Sequence, residues 1–329
     1  MTLRRLLLLL FMLILLMAAA ANLGAVPISL PLLWRTSFND ATWHIWLNIR
    51  LPRVLLAVLI GAALAMAGGV MQGLFRNPLA DPGLLGISSG AALAVACSVV
   101  LPLSLPPLVA LYSSTLAAFC GSLLVTLVIF SLSRAGGGTL SRLLLAGIAI
   151  NALCGSATGV LSWLSSDRQL RQLSLWGMGS LGQGQWTSLA VLATLLAPAM
   201  LVIQKQARRL NLLQLGEEEA HYLGVDVRRT QRLLLLSSAL LVGAAVAVSG
   251  IIGFVGLVVP HLVRMWLGAD HRWLLPGSAL AGALLLLAAD TAARTLVLPA
   301  EMPVGLLTSL LGSPWFLWLI LKEKPLRHA

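Results

Sequence analysis

Long runs of apolar residues that contain no charge limit the folds open to this chain, residues 6–21 and 233–248 being two of them. With 59% hydrophobic and 10% charged residues, the sequence has too little polar surface to cover a soluble globule of 329 residues. A hydrocarbon core about 30 Å thick takes roughly 20 apolar residues per helix, whereas the strands of a membrane barrel would alternate. The runs do not alternate, so the sequence predicts an all-α integral membrane protein.

The apolar runs predict about ten transmembrane helices in a single membrane domain that covers residues 1–329. Three longer loops separate them, at 27–51, 164–185 and 206–230. The predicted spans are 6–26, 52–75, 84–102, 108–132, 142–163, 186–204, 231–251, 253–267, 273–296 and 305–321.

The basic residues predict an orientation. Sixteen of the 22 Lys and Arg residues lie on the side of the N-terminus and six on the other side. Basic residues are enriched in cytoplasmic loops, so we expect cytoplasmic N and C termini, periplasmic loops at 27–51 and 164–185, and a cytoplasmic loop at 206–230. The net charge of +11 does not indicate nucleic acid, because the basic residues are scattered between apolar runs. We therefore expect a multi-pass membrane protein.

The first apolar segment has two interpretations. Arg4 and Arg5, a leucine run and the small residues Ala18 to Ala21 are also features of a signal peptide. The apolar stretch is longer than the usual core of 7 to 15 residues. This length favours a first transmembrane helix that is retained.

Several signals of catalysis or ion coupling are missing from the sequence. It has no phosphate-binding G-x-x-x-x-G-K-[ST] loop and no HExxH motif, and its three cysteines lack the close spacing of a metal site. Asp290 alone among the acids falls well inside a span, and it could pair with Arg294 or serve a functional site. A secondary transporter, which binds its coupling ion at such residues, is disfavoured. We expect a transport subunit that is not itself an enzyme and holds no metal.

The loop 206–230 contains the signal of a short helix at 215–225. Glycines at 216 and 224 bound it, and three glutamates occupy its first turn, as the helix dipole prefers. Leu215, Leu223 and Val225 could form an apolar side. A solvated surface helix and a helix that docks on a cytoplasmic partner both fit this pattern.

Eight motifs in a fixed order make the chain similar to one known family. The chain resembles the FecCD family, the permeases of binding-protein-dependent ABC importers for iron-siderophores, haem and vitamin B12, and within it most closely the haem permeases. The motifs are Arg50-Leu51-Pro52-Arg53, residues 68–72, residues 76–86, residues 141–147, residues 253–261, Asp270-His271-Arg272, Asp290 with Arg294, and Pro303-Val304-Gly305.

The resemblance implies a multi-pass protein of the bacterial inner membrane with a type II ABC importer permease fold. It also implies a homodimer with the translocation path at its interface. It further implies two cytoplasmic ATPase subunits that bind ATP and Mg, a periplasmic substrate-binding protein, surrounding membrane lipid, and no cofactor in this chain. Haem is the implied substrate, with a ferric siderophore or vitamin B12 as the alternative.

The resemblance also implies roles for individual residues. Binding-protein docking falls to Arg50, Arg53 and Arg294, although arginines at such positions could instead reach lipid headgroups. A cytoplasmic gate is implied at Leu140, Ser141 and Arg142, where Leu140 departs from the family's small polar residue. Coupling to the ATPase is implied for Leu215, Gly216, Glu217, Glu218, Glu219, Ala220, Leu223, Gly224 and Val225.

His261 is the one residue singled out for the substrate path. It follows Pro260 and could be taken for a haem ligand. The same Pro-His pair occurs in permeases of the family for other substrates, which favours a structural role.

Overall fold

The computed structural model describes residues 2–24, 40–101, 106, 112–135, 140–298 and 300–322. Within these ranges every regular element is a helix, which confirms the all-α prediction. The part of the first predicted loop at 27–39 lies outside the described residues, as does the chain after 322.

Fourteen α-helices occur in the described ranges, together with a π-helical segment at Trp46–Arg50 and a 3₁₀ turn at Pro82–Leu85. The helices are α1 (Thr2–Asn22), α2 (Ala41–Ile45), α3 (Leu51–Leu74), α4 (Ile87–Val100), α5 (Ser113–Ala135), α6 (Leu140–Leu164), α7 (Asp167–Gly177), α8 (Trp186–Lys205), α9 (Ala207–Leu213), α10 (Glu217–Tyr222), α11 (Val227–Ser249), α12 (Val255–Leu267), α13 (His271–Ala293) and α14 (Val304–Lys322).

Ten of these helices coincide with the ten predicted spans. Seven of them in the described residues are long and apolar enough to cross a bilayer, namely α1, α3, α5, α6, α8, α11 and α13. The helices α4, α12 and α14 are apolar but contribute shorter apolar stretches. The prediction of about ten transmembrane helices is confirmed.

Helix α3 lies at the centre of the bundle, and most of its side chains are buried. It packs against α13, α11, α12 and α8. The contact with α13 is a direct approach of two backbones, since a Cβ atom added at Gly61 would overlap the carbonyl oxygen of Gly282, and one at Gly282 would overlap that of Gly61. Gly68 meets the backbone of Gly256 in α12 in the same way. Small residues allow such close packing where lipid provides no hydrophobic drive between helices.

Helix α6 is packed differently, because most of its surface is exposed. Leu145, Leu153 and Trp163 are 66%, 69% and 83% exposed. A Cβ atom at Gly155 or Gly159 would meet nothing within 4 Å. These two glycines therefore make no close helix contact within the described chain, unlike Gly61 and Gly282.

The glycine contact between α3 and α13 leads to a testable difference in stability. We expect Gly61→Ala to lower the stability of the detergent-solubilised protein by about 1–3 kcal/mol, because the added methyl group forces the two helices apart. The thermal unfolding midpoint measures this effect. Gly177→Ala is the matched control, since nothing lies within 4 Å of its added Cβ. Equal midpoints for the two variants would contradict the close packing.

Candidate functional site at the arginine end of the bundle

Three arginines and two acids form one cluster at the end of α3 and α13, here called the arginine cluster: Arg50, Arg53, Asp290, Arg294 and Glu301. Arg53 donates to Asp290 through Nε at 3.1 Å and Nη2 at 2.9 Å, and through Nη1 to Glu301 at 2.8 Å. Arg294 Nε lies 3.4 Å from the other carboxylate oxygen of Asp290. The expected pair of Asp290 and Arg294 is confirmed, and Arg53 is the additional partner.

The other donors of the cluster hold the end of α1. Arg50 Nη1 donates to the carbonyl of Asn22 at 2.7 Å. Arg294 donates through Nη2 to Ala20 at 2.7 Å and through Nη1 to Leu23 at 2.9 Å. The last carbonyls of a helix have no partner within the helix and carry the negative end of its dipole, so guanidinium groups stabilise them. The cluster thereby joins α1, α3 and α13.

The three arginines lie together, as the resemblance implied, but they are not free surface groups in this chain. Arg50, Arg53 and Arg294 are only 5%, 8% and 4% exposed. The side chain of Glu301 is 52% exposed, so it is the part of the cluster most open to a partner. Their role in docking stays a prediction.

A cavity of about 520 Å³ lies beside the cluster and shares Glu301 with it. Helix α7 forms one wall, with Arg168, Arg171 and Trp176 facing the cavity. Sequence reasoning placed this segment in a loop and missed the helix. The signal was present, since Ser166 and Gln169 form a capping box, the S/T-x-x-E/Q pattern that starts helices.

The opposite end of the bundle carries the segment implied for ATPase coupling. The expected short helix is confirmed as α10, with Gly216 at its start and Gly224 just after its end, both at positive φ. Leu215 and Leu223 are 63% and 58% exposed. Val225 differs from the expectation of a shared apolar side, because it is 4% exposed and packs within the chain.

Polar contacts attach this segment to the bundle. Gln231 Nε2 donates to Glu217 at 2.9 Å, and Gln214 Nε2 donates to the carbonyl of Gly73 at 2.7 Å. Asn211 in α9 donates to Asp270 at 2.7 Å and accepts from the backbone of His271 at 2.9 Å. Helix α10 is thus tied directly to α11, while α9 and Gln214 before it are tied to the ends of α13 and α3.

Asp270 and Arg272, two residues of the Asp270-His271-Arg272 motif, contact each other at the start of α13. Asp270 caps α13 by accepting from the backbone N–H of Arg272 at 3.0 Å, and the Arg272 guanidinium donates to it at 2.6 Å. The Arg272 guanidinium, together with the Asn211 amide, holds the pKa of Asp270 well below its usual value. The cap therefore stays ionised at neutral pH.

The residues implied for the gate begin α6. Leu140 is half-buried, and Ser141 and Arg142 are exposed. Helix α6 ends beside α7 at the arginine end, so its first turn lies at the same end of the bundle as α10. The gating role of these residues stays a prediction.

His261 is buried in α12, and its ring lies edge-on to that of Trp315 in α14, with 6.2 Å between the ring centres. This contact supports a packing role. In the part of the chain that the structure describes, no three His, Cys, Asp or Glu side chains come together in a way that could hold a metal ion.

Comparison with known proteins places this architecture. The FecCD transport family model matches residues 8–322. The chain is 69% identical over 309 residues to the hemin transport system permease protein HmuU of Yersinia pestis, covering 94% of this chain and 92% of that protein. It is 43% identical over 297 residues to the vitamin B12 import system permease protein BtuC of Serratia proteamaculans, covering 90% of this chain and 87% of that protein.

The fold also matches a solved structure. A chain described as a metal-chelate type ABC transporter in an inward-facing conformation superposes with a TM-score of 0.87 at 32% identity, covering 97% of this chain and 99% of that chain. The sequence similarity and the shared fold lead to one conclusion: the protein belongs to the FecCD transport family.

Proposed function

We propose that this protein is the membrane permease of an ATP-driven importer that moves haem from the periplasm to the cytoplasm. The observation that carries the proposal is its 69% identity, over almost the full length of both chains, to a hemin permease. A ferric siderophore or vitamin B12 is the alternative substrate, and the 43% identity to a vitamin B12 permease supports keeping it.

The active unit in this proposal is a homodimer. Helix α6 presents an exposed apolar surface on which Leu145 and Leu153 are 66% and 69% exposed, and Gly155 and Gly159 leave room for a close approach. Leu310 of α14 is likewise 73% exposed. Lipid could cover such surfaces, but open glycines on a lipid face provide no packing, whereas a second helix would use them. The substrate path would then run between the two subunits.

Power enters at the opposite end, through a separate ATPase subunit. Leu223 and Tyr222 of the α10 segment are 58% and 86% exposed, which suits insertion into a groove on a cytoplasmic partner. Beside α10 lies a cavity of about 750 Å³, which could receive side chains of that partner. Because α10 is tied directly to α11, and through α9 and Gln214 to α13 and α3, movement of the ATPase would be passed to the helices of the bundle.

The binding protein would dock at the arginine end, which this proposal places in the periplasm. Only Glu301 of the arginine cluster is substantially exposed, and it occupies one side of the Arg53 guanidinium. An acidic side chain of the binding protein could reach Arg53 by replacing Glu301, which leaves the buried pair with Asp290 intact. Docking would then be an exchange of ion-pair partners.

Transport in vesicles tests the proposal as a whole. Vesicles that contain the chain with its ATPase and binding protein should accumulate haem on addition of ATP. Vanadate should abolish the uptake, because the ATPase powers it. A proton uncoupler should leave the uptake unchanged, because Asp290, the only acid well inside a span, is paired with two arginines. Vesicles that contain the chain alone should accumulate nothing. Import of cobalamin or a ferric siderophore but not haem would overturn the substrate assignment.

The partner exchange at Arg53 predicts an unusual gain of affinity. We expect Glu301→Gln to increase the affinity for the binding protein up to about fivefold, since a half-exposed ion pair is worth no more than about 1 kcal/mol. Surface plasmon resonance on the reconstituted transporter measures it. Glu218→Gln at the opposite end is the control. A loss of affinity in Glu301→Gln would mean that Glu301 itself contacts the binding protein. Reversing the charge of Arg53 is a poorer test, because it would place a second carboxylate beside buried Asp290.

The coupling role of α10 predicts a separation of assembly from membrane folding. We expect Leu223→Ser to weaken copurification of the ATPase subunit at least fivefold and to lower transport in proportion, while the amount of permease in the membrane stays unchanged. Leu170→Ser, on α7 at the arginine end, is the matched control, since this leucine is also exposed. Normal copurification and transport in Leu223→Ser would contradict the docking of this segment.

A further inference from the structure

Helix α7 carries two arginines for which the described residues provide no ion-pair partner. Arg168 and Arg171 are both exposed, and neither makes a hydrogen bond or ion pair with another residue that the structure describes. They lie three positions apart, so they share one helix face with their Cβ atoms about 5–6 Å apart. Two unpaired guanidinium groups on one face form a ready site for anions.

This face forms a wall of the partly open 520 Å³ cavity. The size falls in the range of small-molecule sites, roughly 300–1,000 Å³. Apolar side chains complete much of the lining, among them Val95, Val248 and Pro303, and Trp176 of the same helix contributes to it. The cavity therefore combines one aromatic residue and apolar walls with two cations.

The charge balance of the cavity is positive. Among the described residues of its lining Glu301 is the only acid, and as long as no binding protein is docked it is paired with Arg53 at 2.8 Å. Its carboxylate is thus occupied from the other side. Arg168 and Arg171 keep their charges available to a ligand.

Helix α7, which carries these cations, is itself attached to two neighbouring helices. Gln169 Nε2 donates to the carbonyl of Val99 at 2.8 Å, which ties the first turn of α7 to the end of α4. The segment after α7 is attached to the end of α11, since Ser180 N donates to the carbonyl of Ser249 at 2.7 Å. Ordering before binding lowers the entropic cost of binding.

We propose that this cavity receives a flat, largely apolar dianion and that Arg168 and Arg171 each bind one of its carboxylates while Trp176 contacts its ring. A porphyrin with two propionate groups has this chemistry. A guanidinium fork fits a carboxylate through two parallel hydrogen bonds, and an indole offers a flat apolar surface. The inference rests on the proposed haem transport and adds the residues that select the carboxylate-bearing substrate. A corrinoid without carboxylates would leave both guanidinium groups unpaired in the cavity and would be disfavoured.

Binding of haem and of its dimethyl ester to the assembled transporter in nanodiscs tests this assignment, with empty nanodiscs as the baseline. Loss of one charge-assisted hydrogen bond costs about tenfold in affinity. We therefore expect Arg168→Gln with Arg171→Gln to weaken haem binding at least tenfold. The ester should bind the unmodified protein and the double variant equally weakly. Arg208→Gln with Arg209→Gln, two exposed neighbouring arginines beside α10, is the matched control and should bind haem normally.

Uptake in vesicles separates this inference from the function on which it rests. If the unmodified transporter imports haem and the α7 double variant binds and imports it equally well, the carboxylate site is overturned and the transport function stands. If the unmodified transporter does not import haem, the proposed function fails first. A fall in affinity for the ligand-free binding protein, with haem binding unchanged, would assign Arg168 and Arg171 to docking and overturn the substrate role.

Discussion

The burial of Asp290 between two arginines is the interaction on which the arrangement of the bundle depends. A carboxylate that is 0% exposed in an apolar bundle is costly unless it is paired, and removing one partner of a buried pair costs about 3–5 kcal/mol. Arg53 and Arg294 supply the pairing from α3 and from the end of α13, and the remaining donors reach the end of α1. Because Asp290 holds its Nε and Nη2, Arg53 directs Nη1 toward the more exposed Glu301.

The two ends of the bundle differ in how their charges are used, and this difference suits an importer. At one end the arginines are turned inward and leave Glu301 and the α7 cavity as the polar surface. At the other end α10 presents exposed glutamates, Tyr222 and Leu223 while backbone and amide contacts attach it to the bundle. Between them, α3 approaches α13 and α12 through glycines, so the middle is tightly packed. Helices α1 and α6, in contrast, are mostly exposed at the outside of the bundle.

The number and type of the elements could be predicted from the sequence because apolar length and the missing alternation leave few options in a bilayer. The short helix α10 was also predictable, from its glycines and its acidic first turn. Helix α7 was not predicted, although its capping box was present, since its many polar residues read as a loop. The pairing of Arg53 with Asp290 could not have been found from the pattern, because 237 positions separate the two residues.

The sequence by itself determined that the chain is an all-helical membrane protein, and its motifs determined the family. These properties depend on the composition and on the local order of residues along the chain, which do not change with the way the helices pack. Only the tertiary structure decided that the three arginines are buried and that Arg168 and Arg171 face a cavity, as it decided that Val225 packs inward while Leu223 stays exposed. Burial and the contacts of a charged side chain depend on helices that are distant in sequence. No local sequence pattern shows which of these helices pack together.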